Sequence, residues 1–249
     1  MPTSSTELAT AIECFARGFA FTRCFTHPCG AELVGTLWRS RDEPRKRAAD
    51  YRHEEWVAYD VEPTEVHATA RSRSRGGYSV CAIVAAGESE ASVRAGYKAL
   101  NYRLNKTEPL MLHRLSRVAK WPVPIPIERV LSQELADRVG KASGRRQILP
   151  EDLQADAPLR LYTALDGNQP AGWLKSITVG DHTWVSNVYV QPGYRRRGIG
   201  KSLLAKMLRD DRKHGSQASI LLASHTGALL YESVGYKRLG TLLLFTPKR

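Results

Sequence analysis

Residues 188–202, Val-Tyr-Val-Gln-Pro-Gly-Tyr-Arg-Arg-Arg-Gly-Ile-Gly-Lys-Ser, join an extended apolar run to an amphipathic one through three glycines and three arginines. The pattern predicts a strand ending at Val190, where Pro192 stops the pairing, and a helix opening at Gly198 to Gly200. A helix start leaves its first N–H groups without internal partners and carries a partial positive charge. Glycine lets that backbone approach a ligand closely, and Arg195, Arg196 and Arg197 add charge around it. A strand, a tight basic turn and a helix start in this order describe a site for phosphate or pyrophosphate.

Two common phosphate patterns do not fit. A Walker loop requires glycine where Arg195 stands, although Gly200-Lys201-Ser202 matches its end. A dinucleotide fingerprint requires glycine or alanine where Leu203 stands, and no acidic residue follows at the expected distance. Downstream, Ile199, Leu203, Leu204, Met207 and Leu208 mark one helical face, closed near Gly215. Ser219–Ala223 reads as a buried strand, a second helix starts near Ser224 or Thr226, and Tyr236–Phe245 reads as one or two strands. Upstream, Leu159–Leu165, Ala171–Val179 and Thr183–Val190 read as strands, with Gly167-Asn168 and Gly180-Asp181 as the turns between them.

The remaining pattern, Arg-x-x-Gly-x-Gly after Val-x-Val, resembles the acyl-CoA pyrophosphate loop of the GNAT superfamily of N-acyltransferases. Ala228-Leu229-Leu230-Tyr231-Glu232-Ser233-Val234-Gly235-Tyr236 is similar to a second segment of that family. The resemblance runs from about Pro150 to the C-terminus. It implies an α/β fold with a mixed sheet and acetyl-CoA as co-substrate. Backbone from Asn187 through Val188, Tyr189 and Val190 would hold the pantetheine and polarise the thioester carbonyl. Arg195, Arg196, Arg197, Gly198, Ile199, Gly200, Lys201 and Ser202 would surround the pyrophosphate. Tyr231 stands where the family often places a general acid, with an ordinary pKa of about 10; the alternative is an interior aromatic packed against CoA.

Composition agrees with a water-soluble protein: 42% hydrophobic and 25% charged residues, with no apolar run long enough to span a membrane. The N-terminal Met1–Glu7 has no basic head before an apolar core, so no signal peptide is expected. Four cysteines are too few for a disulfide scaffold and suit a reducing cytoplasm. The net charge of +12 is spread over both halves, with clusters at Arg41–Arg52 and Arg71–Arg75. A solvated basic face that attracts anionic CoA accounts for it, and nucleic acid is not expected as a partner. The oligomeric state is not fixed by the sequence.

Trp121-Pro122-Val123-Pro124-Ile125-Pro126 must be extended, because three prolines fix φ and remove donors. It divides the sequence into residues 1–120 and 127–249. Ile127, Val130, Leu131, Leu135 and Val139 predict a helix that begins right after it and ends near Gly140 or Gly144. The first half echoes the second. Tyr78–Ala86 reads as a strand, Glu90–Leu100 as a helix and Leu110–Leu115 as a strand, and Tyr97–Tyr102 aligns with Tyr231–Tyr236. The echo implies a tandem GNAT with a degenerate first copy. Its region from Val61-Glu62-Pro63 to Arg71–Gly77 has no Arg-x-x-Gly-x-Gly opening a helix, so the first copy is not expected to bind CoA in the usual way.

The general base is left open among His182, His225, a water chain, and carboxylates such as Glu32, Glu54 and Glu55. Cys24-x-x-His27-x-Cys29 lacks a fourth ligand and zinc spacing, so no metal is expected. Trp173 and Trp184 read as core residues or as a platform for the acceptor. The function expected is transfer of an acetyl group from acetyl-CoA to a primary amine of a small molecule or protein. The alternative is a non-catalytic module that binds acyl-CoA as a signal.

Overall fold

A computed structural model describes residues 5–248; Met1–Ser4, part of the segment read for a leader, and Arg249 lie outside the described residues. The backbone forms two compact units interleaved along the chain. Met1–Met111, Leu222–His225 and Arg238–Arg249 make the first, and Leu112–Leu221 with Thr226–Lys237 make the second. The units therefore do not divide at Trp121–Pro126, which is irregular and lies inside the second. The chain's last strand returns to the first unit, a long-range pairing that local composition does not encode.

The first unit holds helices α1 (Ser5–Arg23), α2 (Pro63–Arg73) and α3 (Ala91–Ala99). Its strands are β1 (Cys29–Val34), β2 (Leu37–Asp42), β3 (Glu54–Tyr59), β4 (Tyr78–Ala85) and β5 (Tyr102–Arg114, through Met111). The last strand, β11 (Lys237–Pro247), lies between β4 and β5. β3 and β4 run parallel through the crossover helix α2, and their other neighbours β2 and β11 are antiparallel. Trp56, Val66, Ala70, Val80, Ala82, Tyr97 and Phe245 fill the core. Of the basic cluster at Arg41–Arg52, Arg45 and Arg52 turn inward: each donates from Nε to the buried Asp42 carboxylate at 2.7 Å. Burial alone would raise that carboxyl, but the hydrogen bonds from Arg52 and Arg45 bring it down to about 2.

The second unit is also a mixed α/β sheet, as the sequence led one to expect. Its strands are β6 (Ile127–Arg129), β7 (Leu159–Asp166), β8 (Gln169–Val179), β9 (His182–Val190) and β10 (Ala218–Leu222), in the order β10-β9-β8-β7-β6. Helices α4 (Gln133–Ser143), α5 (Ile199–Lys213) and α6 (His225–Ser233) accompany them. The helix expected from Ile127 starts only at Gln133. Ile127–Arg129 instead pairs antiparallel with Ala164–Tyr162, and the Ser132 side chain caps α4 by accepting the Leu135 N–H. α4 ends at Gly144, which takes the left-handed conformation.

Helix α5 positions the site. It buries Ile199, Leu203, Leu204, Met207 and Leu208 against β7, β8 and β9, each worth about 1.5–3 kcal/mol. One buried charge fixes its far end. The Asp211 carboxylate, 0% exposed, accepts from Arg160 of β7 and Ser176 of β8 at 2.9 Å, and from Thr183 of β9 at 3.0 Å. A single side chain thus ties the helix to three consecutive strands. Among the described residues no helix is long and apolar enough to cross a membrane.

Candidate acyl-CoA site

The site is built where β9 leaves its neighbours. On one side β9 pairs with β8, but the register slips by one residue between Trp173↔Tyr189 and Lys175↔Ser186. The extra residue makes a bulge, which bends the strand and re-aims the residues beyond it. Asn187 is in the left-handed region there (φ 53°), a conformation asparagine tolerates better than most. Its side chain holds the bulge in place: Nδ2 donates to Gln147 Oε1 at 2.5 Å, and Oδ1 accepts from Arg145 at 3.4 Å. On the other side β9 runs parallel to β10 only from Ala218↔His182 to Ile220↔Trp184. Beyond Trp184, β9 continues to Val190 outside that ladder. The segment containing Val188, Tyr189 and Val190 therefore offers backbone N–H and C=O groups that a ligand can take up.

Past Val190 the chain turns sharply. Gln191 N–H donates to Ala171 O at 2.9 Å and Tyr194 N–H to Gln191 O at 2.9 Å. Arg195 Nε donates back to Val190 O at 3.0 Å. Arg196 (φ 63°) and Gly198 (φ 81°) are both left-handed, and Gly198 is the N-cap of α5. Left-handed residues alternating with ordinary ones turn successive N–H groups into a concavity that takes anions. The first N–H to close a helical turn is that of Ser202, on Gly198 O at 3.1 Å, so those of Ile199, Gly200 and Lys201 have no intrahelical partner. Arg195, Arg196 and Arg197 are exposed around the loop, and the Lys201 ammonium lies 4.7 Å from the Trp121 ring centroid.

Two expected members of the loop face inward. Ile199 is core, so only its backbone is available. Ser202 is 1% exposed and its hydroxyl donates to Pro122 O at 2.6 Å; it pins the start of α5 to the proline segment. Two close contacts were not anticipated. A Cβ on Gly200 would stand 3.2 Å from Leu230 of α6, and one on Gly172 would stand 2.7 Å from Tyr189 O. Both glycines let backbones meet at the site. Gly172 sits in a strand interior, where a glycine signals such an approach. Gln147 and Arg145 carry no sequence signal, since they reach Asn187 from a distant loop.

Tyr231 lies near the end of α6, 9% exposed, with its ring edge-on to Tyr236 at 5.8 Å between centroids. Burial pushes its hydroxyl up to about 12 rather than leaving it at the ordinary value. Trp173 and Trp184 are buried, and Trp173 stacks on Tyr189 at 4.9 Å. The candidate bases all have local partners. His182 pairs with Asp181 at 2.6 Å, and His225 hydrogen-bonds Thr107 at 2.9 Å. Glu32 accepts from Arg39, Glu55 from Arg23, and Glu54 from the Arg75 N–H. Cys24 Sγ donates to Cys29 O at 3.1 Å.

The sequence model of the acetyltransferase (GNAT) domain matches residues 157–238, the span from β7 through the phosphate-type loop and Tyr231 to the start of β11. That segment is a GNAT domain. No curated protein matches the sequence. Solved structures share the fold over nearly the whole chain. A GCN5-related N-acetyltransferase from Kribbella flavida aligns with TM-score 0.68 and 14% identity, over 97% of this chain and 95% of that one. An acetyltransferase of the GNAT family from Novosphingobium aromaticivorans, described as putative, aligns at 0.53 and 16%, over 97% and 99%. A tandem GNAT protein from the clavulanic acid biosynthesis pathway aligns at 0.55 and 12%, over 99% and 96%. At these identities the likeness establishes the GNAT fold.

Proposed function

We propose that the protein is an N-acetyltransferase that moves the acetyl group of acetyl-CoA to a primary amine, and that its first unit is a degenerate copy of its second. The observation that carries the reading is the parting of β9 from β10 directly before a helix start with open N–H groups. The loop from Arg195 to Lys201 binds the pyrophosphate through backbone N–H groups, with the arginine side chains adding charge. Val188–Val190 lie alongside the pantetheine arm and donate to the thioester carbonyl, which stabilises the oxyanion as charge develops. The neutral amine nitrogen attacks the carbonyl carbon; the C–N bond forms, the C–S bond breaks, and sulfur leaves with the electron pair.

Tyr231 serves the leaving sulfur. A phenol at about 12 is a weaker acid than a thiol with an ordinary pKa of about 8.5. Full proton transfer to a solvated thiolate is uphill, whereas a hydrogen bond to a thiolate desolvated in the same cleft is favourable. Tyr231 therefore stabilises the departing sulfur by donation and keeps its own proton, and the thiolate takes a proton from solvent as the product leaves. The amine loses its proton to solvent or to a carboxylate. The four cysteines are free thiols, which suits a reducing cytoplasm.

Calorimetry with CoA and a thiol-release assay with acetyl-CoA and a panel of amines test the reading. Micromolar CoA binding with amine-dependent thiol release is expected. Saturable CoA binding without turnover on any amine would leave the acyl-CoA-binding module instead, and absence of CoA binding would remove both.

A further inference from the structure

Asn187 belongs to a closed ring of hydrogen bonds whose sense is fixed. Gln147 Nε2 donates to Arg145 O at 3.4 Å, and Gln147 Oε1 accepts from Asn187 Nδ2 at 2.5 Å. Asn187 Oδ1 then accepts from the Arg145 guanidinium at 3.4 Å. Arg145 thus closes the ring at both ends, with a carbonyl that can only accept and a guanidinium that can only donate. Between those ends each amide has one way to face. The Ser143 hydroxyl imposes the same sense, because it donates to Arg145 O at 2.8 Å and accepts from Gln147 Nε2 at 2.9 Å. The loop itself is seated on α4, where the Arg145 N–H donates to Gly140 O at 3.1 Å.

The ring holds a stretch of backbone that the sheet does not. Between the pairs Trp173↔Tyr189 and Lys175↔Ser186, Asn187 and Val188 of β9 stand opposite Leu174 alone, without a ladder partner of their own. Asn187 is left-handed there, with φ 53°, a conformation that a residue with a side chain seldom keeps unaided. Peptide units are planar, so the Asn187 backbone angles set the tilt of the unit joining it to Val188. They therefore set the direction of the Val188 N–H. In the acetyl-transfer reading, on which this inference rests, the backbone of Val188–Val190 donates to the thioester carbonyl. Such a donor works only when it is already aimed at the place where charge develops.

We propose that Gln147 is a positioning residue for acetyl transfer: through Asn187 it aims the Val188 N–H at the thioester oxygen. At 1% exposure its side chain is closed off from substrate and CoA. Its effect falls on the chemical step, because the loop proposed to bind the pyrophosphate is carried by α5 and lies outside the ring.

The test is a double-mutant cycle. It is read by kcat at saturating acetyl-CoA, with an amine that the wild type turns over, and by calorimetry with CoA. Gln147→Leu keeps most of the volume and loses both links. It should lower kcat about 10- to 100-fold, short of the ~10²–10³ for losing an oxyanion donor outright, with CoA affinity within about threefold of wild type. Asn187→Gly suits the left-handed backbone but leaves no side chain to clamp, and its kcat should fall by a similar factor. The double variant should be no slower than Asn187→Gly, since Gln147 acts only through Asn187. Circular dichroism checks each fold; if Gln147→Leu does not fold, a fall of kcat in Asn187→Gly at intact CoA affinity supports the ring and wild-type kcat there overturns it. The proposal is also overturned by wild-type kcat in Gln147→Leu, by a loss of CoA affinity as large as the loss of kcat, or by a double variant in which the two losses multiply. A wild type that binds CoA but turns over no amine defeats the acetyl-transfer reading together with this proposal. An active wild type beside an equally active Gln147→Leu defeats the proposal alone.

Discussion

Among the described residues two parallel crossovers, β3–α2–β4 and β9–α5–β10, differ at the point where a ligand would enter. In β3–α2–β4 the ladder runs from Glu54↔Tyr78 to Tyr59↔Ile83, the last residue of β3. In β9–α5–β10 it stops at Trp184, and β9 goes on to Val190. The helix starts differ as sharply. α2 opens with Glu62-Pro63, and Gly96 of α3 leaves room for Pro63, where a Cβ would stand 2.7 Å from its ring. α5 opens with Gly198-Ile199-Gly200, and there the small residue is on the crossover helix and the large one, Leu230, on its neighbour. The same order of strand, helix and strand thus gives a helix start capped by Glu62-Pro63 in one unit and an open basic loop in the other. Chain order alone does not leave backbone groups free for a ligand; an interrupted ladder and a helix start with unpartnered N–H groups do.

The largest effect is expected where the crossover helices are anchored. α2 buries only Val66 and Ala70, whereas α5 is tied to three strands through Asp211. Asp211→Ala strands the Arg160 guanidinium, which is 3% exposed, and breaking a buried pair in this way costs about 3–5 kcal/mol. Denaturant titration should show that loss, together with weaker CoA binding as α5 loosens. Wild-type stability in the variant would mean that the apolar face of α5 suffices, as it does for α2.

Next comes the loop. Gly198→Asp and Gly200→Asp each place a carboxylate where the pyrophosphate is proposed to sit, and Gly198 adds left-handed strain. Losing two charge-assisted hydrogen bonds at about 1.5–3 kcal/mol each corresponds to a fall in CoA affinity of at least ~100-fold. Thr64→Asp, near the start of α2, should leave CoA affinity unchanged. Equal effects at Thr64 and Gly200 would erase the functional difference between the two crossovers.

Much of the second unit was legible beforehand. β7, β8 and β9 are runs rich in apolar residues separated by Gly-Asn and Gly-Asp turns, so the observed strands fall within a few residues of those expected. The stripe of α5 and the glycine beyond it pointed to that helix, and the turn before it falls where Pro192 and Gly198 suggested. Ile127 to Val139 misled because Ile127, Val130 and Leu131 satisfy a helical period while β-branched residues after Pro126 also suit an edge strand; the Ser132 cap decides. α1 went unread although Leu8, Ala11, Ile12 and Phe15 are buried along one face. The place of β11 beside β4, the clamp of Gln147 on Asn187 and the inward turn of Ser202 depend on residues distant in sequence. The raised hydroxyl of Tyr231 depends on burial, which a sequence does not display.

Tyr231 offers a smaller but more specific test. It and Tyr97 occupy the same place near the ends of α6 and α3, and burial raises both hydroxyls. Tyr97 is enclosed by the ring of Phe245, stacked at 4.4 Å, and by that of Tyr102 at 5.3 Å. Tyr231→Phe keeps the ring and removes only the donor, so CoA affinity should hold while kcat falls. Because a donor at about 12 stabilises the thiolate without fully protonating it, the fall should be about 10–100-fold, at or below the lower end for general acids. An unchanged kcat with chemistry shown to be rate-limiting would make Tyr231 a packing residue like its counterpart.

The smallest effect separates the strands that flank the two crossovers. β2 and β8 lie next to β3 and β9, and each buries a cation. On β2 it is Arg39, hydrogen-bonded to Glu32 and 5.1 Å from the Trp56 ring centroid. On β8 it is Lys175, 6% exposed, whose ammonium is brought down to about 8 by burial and then by the nearby Arg145 charge, against the opposing pull of Asp152. A guanidinium keeps its proton throughout the alkaline range, but an ammonium at about 8 does not. Between about 8 and the ordinary lysine value near 10.4, the unfolded chain holds a proton that the folded chain has released. Stability therefore rises with pH in that window, and the contribution is lost as pH falls through about 8. From pH ~8 to ~9 the gain from this one group is about 1 kcal/mol. Denaturant titrations at those two pH values should show the gain in the wild type and not in Lys175→Met, which keeps the apolar stem and removes the titrating group. The same gain in both proteins would place its origin in a group other than Lys175.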